Sequence, residues 1–168
     1  MSDWFERFGF AAVHEGLLVG AYPSDSDDVE RLRAEGVDRV FNLCEDGEYA
    51  TGDRDAVSGA LAGSGIEEDR LPLVDYGGLE PEALERSVTA VDAALERGET
   101  VYLHCRAGWQ RSAAVAAGIV ALREATPIEE ALVRVRARKP TAEPLAHQRD
   151  DLLAWWQARG RLPGPARG

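Results

Sequence analysis

Residues 100–112 read TVYLHCRAGWQRS, and this stretch joins a short apolar run to a long segment of small residues. The apolar run is typical of a buried strand. The Ala-rich segment 111–124 is apolar almost all round, as in a helix that is buried on most faces. A strand that turns sharply into a helix leaves backbone N–H groups without partners, and they form an anion site with the helix dipole. The stretch therefore predicts a central strand, an anion-binding loop and a buried helix.

Cys105 and Arg111 bracket this loop, with five residues between them. Cys105 stands at the strand exit, where the field of a helix N-terminus favours the thiolate, and an ionised sulfur is a strong nucleophile for phosphorus. Arg111 offers a planar fork to two phosphate oxygens, which a lysine does not reproduce. Gly108 allows a positive φ or a close backbone approach in the tight turn. The spacing therefore predicts a nucleophilic sulfur beneath a phosphate that Arg111 holds.

Other side chains in the stretch have further roles, and we expect Ser112 to be catalytic with Cys105 and Arg111 and His104 to be supporting. The Ser112 hydroxyl can cap the helix or hydrogen-bond the sulfur, and His104 can orient the loop through its ring nitrogens. Trp109 either forms a pocket rim that stacks on a substrate ring or packs against a neighbouring loop. Gln110 either hydrogen-bonds the hydrolytic water or faces solvent, and we expect it to face solvent. The residues expected to bind the substrate are Arg106, Ala107, Gly108, Trp109, Gln110 and Arg111.

The pattern His104-Cys105-x-x-Gly108-x-x-Arg111-Ser112 resembles the signature loop of the cysteine-dependent protein phosphatases, specifically of their compact dual-specificity branch. This resemblance implies a phosphocysteine intermediate on Cys105. It also implies that Arg111 binds the phosphoryl group in the ground and transition states. A general acid is then required elsewhere in the chain.

The acid must protonate the alkoxide or phenoxide that the thiolate expels. Asp75 lies 30 residues before the cysteine, directly after an apolar run, and is followed by the pair Gly77-Gly78. Two glycines suit a flexible loop that approaches a substrate. We predict that Asp75 is the acid and later activates the hydrolytic water; the alternative is a solvated loop aspartate. Asp46 and Asp69 are weaker candidates, Asp69 because it falls before the strand-like run.

Cys44 has two interpretations, and it ends an earlier predicted strand. We favour a small buried side chain at the end of that strand. The alternative is a resolving thiol that forms a reversible disulfide with Cys105 under oxidation, since a nucleophilic sulfur invites this reaction. Some members of the family that the chain resembles carry a cysteine at a similar strand end.

The rest of the chain alternates between strand and helix patterns. This alternation predicts an α/β fold with a central, mostly parallel sheet flanked by helices on both faces, similar to the dual-specificity phosphatases. The predicted strands are one or two edge strands over 13–21, then 39–44, 66–74 and 100–104. The predicted helices are one capped at 24 or 25 that runs to 34, then 53–62, 81–97, 111–124, 127–138 and 145–158.

This pattern divides the chain into three parts of unequal size. We expect an N-terminal aromatic segment over 1–12, packed on the domain, then a phosphatase domain over 13–158 and a flexible tail over 159–168. Ligands of such sheets bind beyond the carboxyl ends of the strands. The candidate residues Cys105, Asp75 and Cys44 all fall at such ends, and the polar loop 45–52 is expected at the same end of the sheet.

Composition limits the partners. The net charge is −11, from 30 acidic and 19 basic residues, and such a surface repels nucleic acid and anionic membranes. No stretch approaches ~20 uninterrupted apolar residues, and no basic region precedes an apolar run at the N-terminus. We therefore expect a soluble, monomeric, cytoplasmic protein. Two cysteines form no disulfide framework, and the three histidines are scattered, so we expect neither a metal site nor a cofactor.

The leading hypothesis is a phosphomonoester hydrolase, a dual-specificity or tyrosine phosphatase that acts on a phosphorylated protein or a small phosphomonoester. The short chain predicts a shallow site that tolerates both aliphatic and aromatic esters. Arg106 is the only additional cation in the loop, which disfavours highly charged inositol phosphates. The alternatives are a rhodanese-like sulfurtransferase, which usually has a shorter loop and needs no acid, and a non-catalytic phosphate-binding module.

Overall fold

A computed structural model describes residues 1–49 and 53–160, where five strands and seven α-helices alternate along the chain. The strands are β1 (Phe10–His14), β2 (Leu17–Gly20), β3 (Arg39–Asn42), β4 (Glu67–Arg70) and β5 (Val101–His104). The helices are α1 (Asp3–Phe8), α2 (Ser26–Ala34), α3 (Asp53–Ser64), α4 (Pro81–Glu96), α5 (Arg111–Glu124), α6 (Ile128–Arg138) and α7 (Ala146–Arg159). A short 3-10 helix (Asp46–Glu48) follows β3. No helix in these ranges has the length and apolar character that a membrane crossing requires.

The sheet has the strand order β1-β2-β5-β3-β4, and β1 alone runs antiparallel to its neighbour. The predicted mostly parallel sheet with a central strand at 100–104 is therefore confirmed. Both strands of the hairpin over 13–21 were expected at an edge, but β2 pairs with β5 and lies inside the sheet. The carboxyl ends of β2, β3, β4 and β5 consequently meet at one edge of the sheet.

Buried side chains form one core on each face of the sheet, because neighbouring residues of a strand point to opposite sides. Leu103 of β5 belongs to the core beneath α4, α5, α6 and α7. Tyr102 belongs to the opposite core beneath α1, α2 and α3. Helices on both faces were predicted, and the two cores confirm them.

Helix α5 is the most buried helix of the described chain, and its small residues explain why. A Cβ atom at Gly118 would lie 3.0 Å from the Val88 side chain and 3.3 Å from the Trp155 ring. Small residues therefore let α4 and α7 pack closely on α5. This close packing holds the N-terminus of α5 at the end of β5.

Strand β4 is shorter than predicted, since it ends at Arg70 rather than at residue 74. The chain nevertheless continues beside β3, because the Leu71 amide donates to the Asn42 carbonyl and the Leu73 amide donates to the Leu43 carbonyl. Asp69 lies within β4, so its predicted place before the strand is wrong. The continued segment carries the chain to Asp75 at the same edge as β5.

The ends of the chain differ in detail from the expected division. Strand β1 runs across the boundary expected between residues 12 and 13, so the aromatic segment and the domain share a strand. Phe5 of α1 is fully buried, which confirms that this segment packs on the domain. Helix α7 includes Arg159, which was expected in the tail. The remainder of that predicted tail, 161–168, lies outside the described residues.

Candidate active site

A tight loop connects β5 to α5 and contains the predicted phosphate cradle. Gly108 has φ +72°, and a Cβ atom there would lie 2.5 Å from the carbonyl carbon of Gly20. Both reasons for a glycine, the positive φ and the close backbone approach, are therefore confirmed. The Tyr22 amide donates to the Arg106 carbonyl at 3.1 Å, so the chain after β2 fastens the loop from the other side.

The sulfur of Cys105 lies at the buried base of this loop. Its Sγ atom is 3.2 Å from the Oγ atom of Ser112, which is fully buried. Gln110 is the residue that precedes the helix, and Ser112 lies in the first turn. Of the two roles considered for Ser112, the contact with the sulfur is the one that forms.

The guanidinium of Arg111 is 1% exposed and lies among backbone carbonyls and a carboxylate. Its Nη1 atom donates to the Leu73 carbonyl at 2.9 Å and to the Leu43 carbonyl at 3.3 Å. Burial opposes the charged form, but the hydrogen bonds that Arg111 donates to Glu48, together with the charge of the nearby sulfur, outweigh it and raise the pKa of Arg111. Its Nε atom is buried without a hydrogen-bond partner among residues 1–49 and 53–160. Such a donor is suited to an incoming anion.

Glu48 is a site residue that sequence reasoning missed. Its carboxylate accepts from Nη2 and Nη1 of Arg111 at 2.6 and 2.7 Å, and from the Glu45 amide at 2.6 Å. Burial alone would raise the pKa of Glu48, but these donors outweigh it and lower the pKa. The polar loop 45–52 was expected at this end of the sheet, and its described part, residues 45–49, lies there. That expectation was the one signal in the sequence that could have pointed to Glu48.

Asp75 reaches the same place from the segment after β4. Its Oδ1 atom is 3.0 Å from Nη2 of Arg111, and its side chain is 23% exposed. The rival candidates point elsewhere, because Asp46 pairs with Arg70 and Asp69 pairs with Arg39. Of the three aspartates considered, Asp75 alone meets Arg111.

The loop that carries Asp75 is fastened, although Gly77 and Gly78 suggested flexibility. The neighbouring Tyr76 has φ +57°, and the Gly77 amide closes a turn by donating to the Val74 carbonyl at 3.1 Å. From α7, His147 Nε2 lies 3.1 Å from the Tyr76 and Gly77 carbonyls, and Gln148 donates to the Gly77 carbonyl. These contacts fix the position of the carboxylate.

His104 and Cys44 lie behind the loop and are both buried. Nδ1 of His104 is 3.2 Å from the Cys105 carbonyl, which can only accept, so the ring donates and supports the loop as predicted. Burial lowers the pKa of His104 to about 4, which keeps the ring neutral near pH 7. Burial and the nearby sulfur of Cys105 raise the pKa of Cys44. Cys44 is fully buried, which confirms the favoured interpretation, and neither cysteine forms a disulfide; a disulfide under oxidation stays an untested alternative.

One hollow of about 200 Å³ is lined by Cys105, Arg111 and Asp75 together. Gln110 is half-buried and lines the hollow, and its Oε1 atom is buried without a partner in the described ranges, so both of its proposed roles stay open. Trp109 lines the hollow and packs edge-on against Phe8 of α1, and its stacking on a substrate ring stays a prediction. Trp4, Phe8 and Tyr76 were not predicted here. The residues that line the hollow are Trp4, Phe8, Asp75, Tyr76, Cys105, Arg106, Ala107, Trp109, Gln110 and Arg111.

Comparison with known proteins agrees with this geometry. The family model described as dual specificity phosphatase, catalytic domain, matches residues 18–158. The rat protein named phosphatidylglycerophosphatase and protein-tyrosine phosphatase 1 is 32% identical over 139 residues, which cover 80% of this chain and 68% of the relative. The mouse protein of the same name is 31% identical over the same shares of both chains.

Solved structures share the fold. PTPMT1 in complex with PI(5)P superposes with a TM-score of 0.76 at 24% identity, covering 90% of this chain and 98% of that one. Tk-PTP in its active form gives a TM-score of 0.75 at 21% identity, covering 91% and 97%. These matches do not favour the sulfurtransferase or the non-catalytic module. The chain belongs to the dual-specificity phosphatase family and is a cysteine-based protein phosphatase.

Proposed function

We propose that the protein hydrolyses phosphomonoesters through a phosphocysteine intermediate on Cys105. The observation that carries this proposal is the meeting of three side chains in one hollow: the buried sulfur, the Arg111 guanidinium and the Asp75 carboxyl. The unpartnered Nε of Arg111 and the amides at the start of α5 supply donors for phosphate oxygens. We expect the backbone amides of residues 106–110 to complete the cradle.

In the first step the Cys105 thiolate attacks phosphorus. A phosphorus–sulfur bond forms and the ester bond breaks, while Arg111 stabilises the charge on the phosphoryl oxygens. The leaving oxygen takes a proton from Asp75, so the alcohol or phenol departs neutral. A phosphoryl group bound at Arg111 replaces Asp75 as a partner of Nη2, and the carboxyl is then free to face the leaving oxygen.

In the second step water attacks the phosphocysteine. Asp75, now a carboxylate, takes one proton of that water, and the buried Oε1 of Gln110 accepts a hydrogen bond from the other O–H, which stays on the phosphate. The phosphorus–sulfur bond breaks, inorganic phosphate leaves, and the Cys105 thiolate returns. The Ser112 hydroxyl, 3.2 Å away, donates to the departing sulfur. Neutral His104 keeps the loop in place through the Cys105 carbonyl.

The proposed substrates are phosphotyrosine side chains, together with phosphoserine and phosphothreonine. Two matched relatives carry both phosphatidylglycerophosphatase and protein-tyrosine phosphatase in their names, so a lipid phosphomonoester is the second candidate. The chain's net charge of −11 favours the first, because an anionic membrane surface repels it. A cytoplasmic location and a monomeric state stay predictions from the sequence.

Hydrolysis of 4-nitrophenyl phosphate tests the proposal. We expect activity in the wild type, loss of activity in Cys105→Ser, and retention in Cys44→Ala as the matched cysteine control. Sulfur transfer from thiosulfate to cyanide by the wild type, without phosphate release, would support the sulfurtransferase instead. Undiminished hydrolysis by Cys105→Ser would overturn the proposal.

A further inference from the structure

Helix α1 brings two aromatic side chains to the hollow, although the proposed chemistry requires neither of them. Trp4 and Phe8 line it together with Trp109 of the loop, and we call these three rings the aromatic wall. The catalytic groups lie at the base, at Cys105 and Arg111. The wall therefore faces the part of a substrate that lies beyond the phosphate.

The wall is preformed, because α1 is fastened along its length. Ser2 caps the helix by accepting from the Phe5 amide, and its own amide and hydroxyl donate to the buried Asp28 at 2.7 and 2.6 Å. Phe5 is fully buried in the core beneath α2 and α3. At the other end, the buried Lys139, the only lysine of the chain, donates to the Phe8 carbonyl at 3.3 Å.

The rings of the wall contact one another and the loop directly. The ring centroids of Trp4 and Phe8 are 4.3 Å apart, and those of Phe8 and Trp109 are 5.2 Å apart at an interplanar angle of 70°. Trp4 Nε1 donates to the Arg106 carbonyl at 3.1 Å. The Arg106 guanidinium lies 5.6 Å from the centre of the Trp4 ring. The wall is thus tied to the backbone of the phosphate loop itself.

Size and charge identify the group that fits against the wall. A cavity of roughly 150 Å³ accommodates a benzene ring, so about 200 Å³ accommodates a phosphate with one ring attached. Beyond Arg111, Arg106 is the one cation among the residues that line the hollow, and its guanidinium lies over the Trp4 ring. An aryl group meets four aromatic rings there, those of the wall and of Tyr76, so the hollow suits an aryl group better than a second phosphate.

We propose that Trp4, Phe8 and Trp109 bind the leaving group of the substrate and make aryl phosphate esters better substrates than alkyl esters. This inference rests on the proposed function and specifies its substrate as phosphotyrosine rather than phosphoserine. Aromatic pairs contribute about 0.5–1.5 kcal/mol beyond area burial, which corresponds to a two- to tenfold change in rate constant for each ring lost.

The test compares two peptides of the same sequence that carry phosphotyrosine or phosphoserine. We expect Trp4→Leu and Phe8→Leu each to lower the phosphotyrosine-to-phosphoserine ratio of kcat/KM about two- to tenfold. Trp156→Leu, an aromatic replacement on α7 that does not touch the hollow, is the matched control and keeps the wild-type ratio. The intrinsic reactivities of the two esters cancel, because the ratio is compared between variants. Unchanged ratios in both α1 variants would overturn the proposal.

A binding measurement on the wild type tests the proposal independently of whether the variants fold. Calorimetry with phenylphosphonate and methylphosphonate compares an aryl and an alkyl group on the same anion, without hydrolysis. We expect phenylphosphonate to bind at least threefold more tightly than methylphosphonate. Equal affinities would overturn the proposal that the aromatic wall binds the leaving group. Tighter binding of phenylphosphonate by a protein that hydrolyses no phosphomonoester would instead contradict the proposed function and leave the wall standing.

Discussion

The Glu48 carboxylate accepts from both terminal nitrogens of Arg111, at 2.6 and 2.7 Å, although 63 residues separate them in sequence. This pair leaves Nε of Arg111 for the phosphate and fixes the plane of the guanidinium. Paired geometry of this kind is specific as well as strong, because the carboxylate matches the arginine fork.

Glu48→Gln therefore keeps the shape of the partner but removes its charge. Charge-assisted hydrogen bonds are about twice as strong as neutral ones, so we expect kcat/KM for 4-nitrophenyl phosphate to fall roughly tenfold. Glu67→Gln is the control, since Glu67 pairs with Arg39 away from the hollow. Equal losses in the two variants would show that orientation of Arg111 does not limit the rate.

The glycine of the loop is tested by Gly108→Ala. Residue 108 has φ +72°, a backbone conformation that strains alanine. The added methyl carbon would also lie 2.5 Å from the carbonyl carbon of Gly20, so the loop must shift. A displacement of about 1 Å in a reacting group lowers the rate about 100-fold, which is the loss expected in kcat/KM. Gly98→Ala has φ +82° but open space around it, so it destabilises the fold by about 1–2 kcal/mol without loss of activity. Full activity in Gly108→Ala would contradict the close approach.

Asp75→Asn removes the proposed acid. Protonation matters most for a poor leaving group, so we expect the turnover of a phosphoserine peptide to fall by about 10²–10⁴-fold, and that of 4-nitrophenyl phosphate to fall less. Asp46→Asn and Asp69→Asn serve as controls, because those carboxylates pair with Arg70 and Arg39. Equal losses for the two substrates in Asp75→Asn would point to another acid.

His104 makes stability depend on pH. Burial lowers its pKa to about 4 in the folded chain, whereas an unfolded histidine has a pKa of about 6.5. The unfolded chain binds more protons between these values, so stability is lost as the pH falls below about 6.5. From pH 7.5 to pH 5 this loss amounts to about 2 kcal/mol.

Urea unfolding of the wild type and His104→Asn at both pH values checks this effect. Asparagine can donate to the Cys105 carbonyl but does not titrate. The free energy of unfolding of the wild type should therefore decrease more steeply towards pH 5 than that of the variant. Parallel pH dependences would show that His104 is not buried as a neutral ring.

Parts of the site could be predicted because they depend on residues close together in sequence. The turn from β5 into α5 requires Gly108, and its spacing places Cys105 and Arg111 around one anion. The role of Asp75 could be predicted from the chemistry, because a thiolate mechanism needs an acid at the carboxyl edge of the sheet. Cys105, Arg111 and Asp75 line one hollow, as expected.

Other parts depend on contacts that local pattern does not contain. Strand β4 lies within the predicted strand 66–74, but its sequence Glu67-Glu68-Asp69-Arg70 does not show that Arg39 and Arg54 pair with its carboxylates. The contact of Glu48 with Arg111 likewise depends on how two distant loops fold together. The aromatic character of α1 was visible in the sequence, but the place where Trp4 and Phe8 pack was not.

The central claim is that a sulfur anion attacks phosphorus, and trapping the covalent intermediate tests it most directly. Asp75→Asn lacks the proposed base for hydrolysis of the intermediate, so mixing it with 4-nitrophenyl phosphate and quenching rapidly should leave phosphate on the enzyme. We predict that mass spectrometry finds one phosphoryl group on the peptide containing Cys105, and that Cys105→Ser/Asp75→Asn carries none. Burst release of nitrophenol without phosphate on Cys105, or phosphate on another residue, would contradict the account.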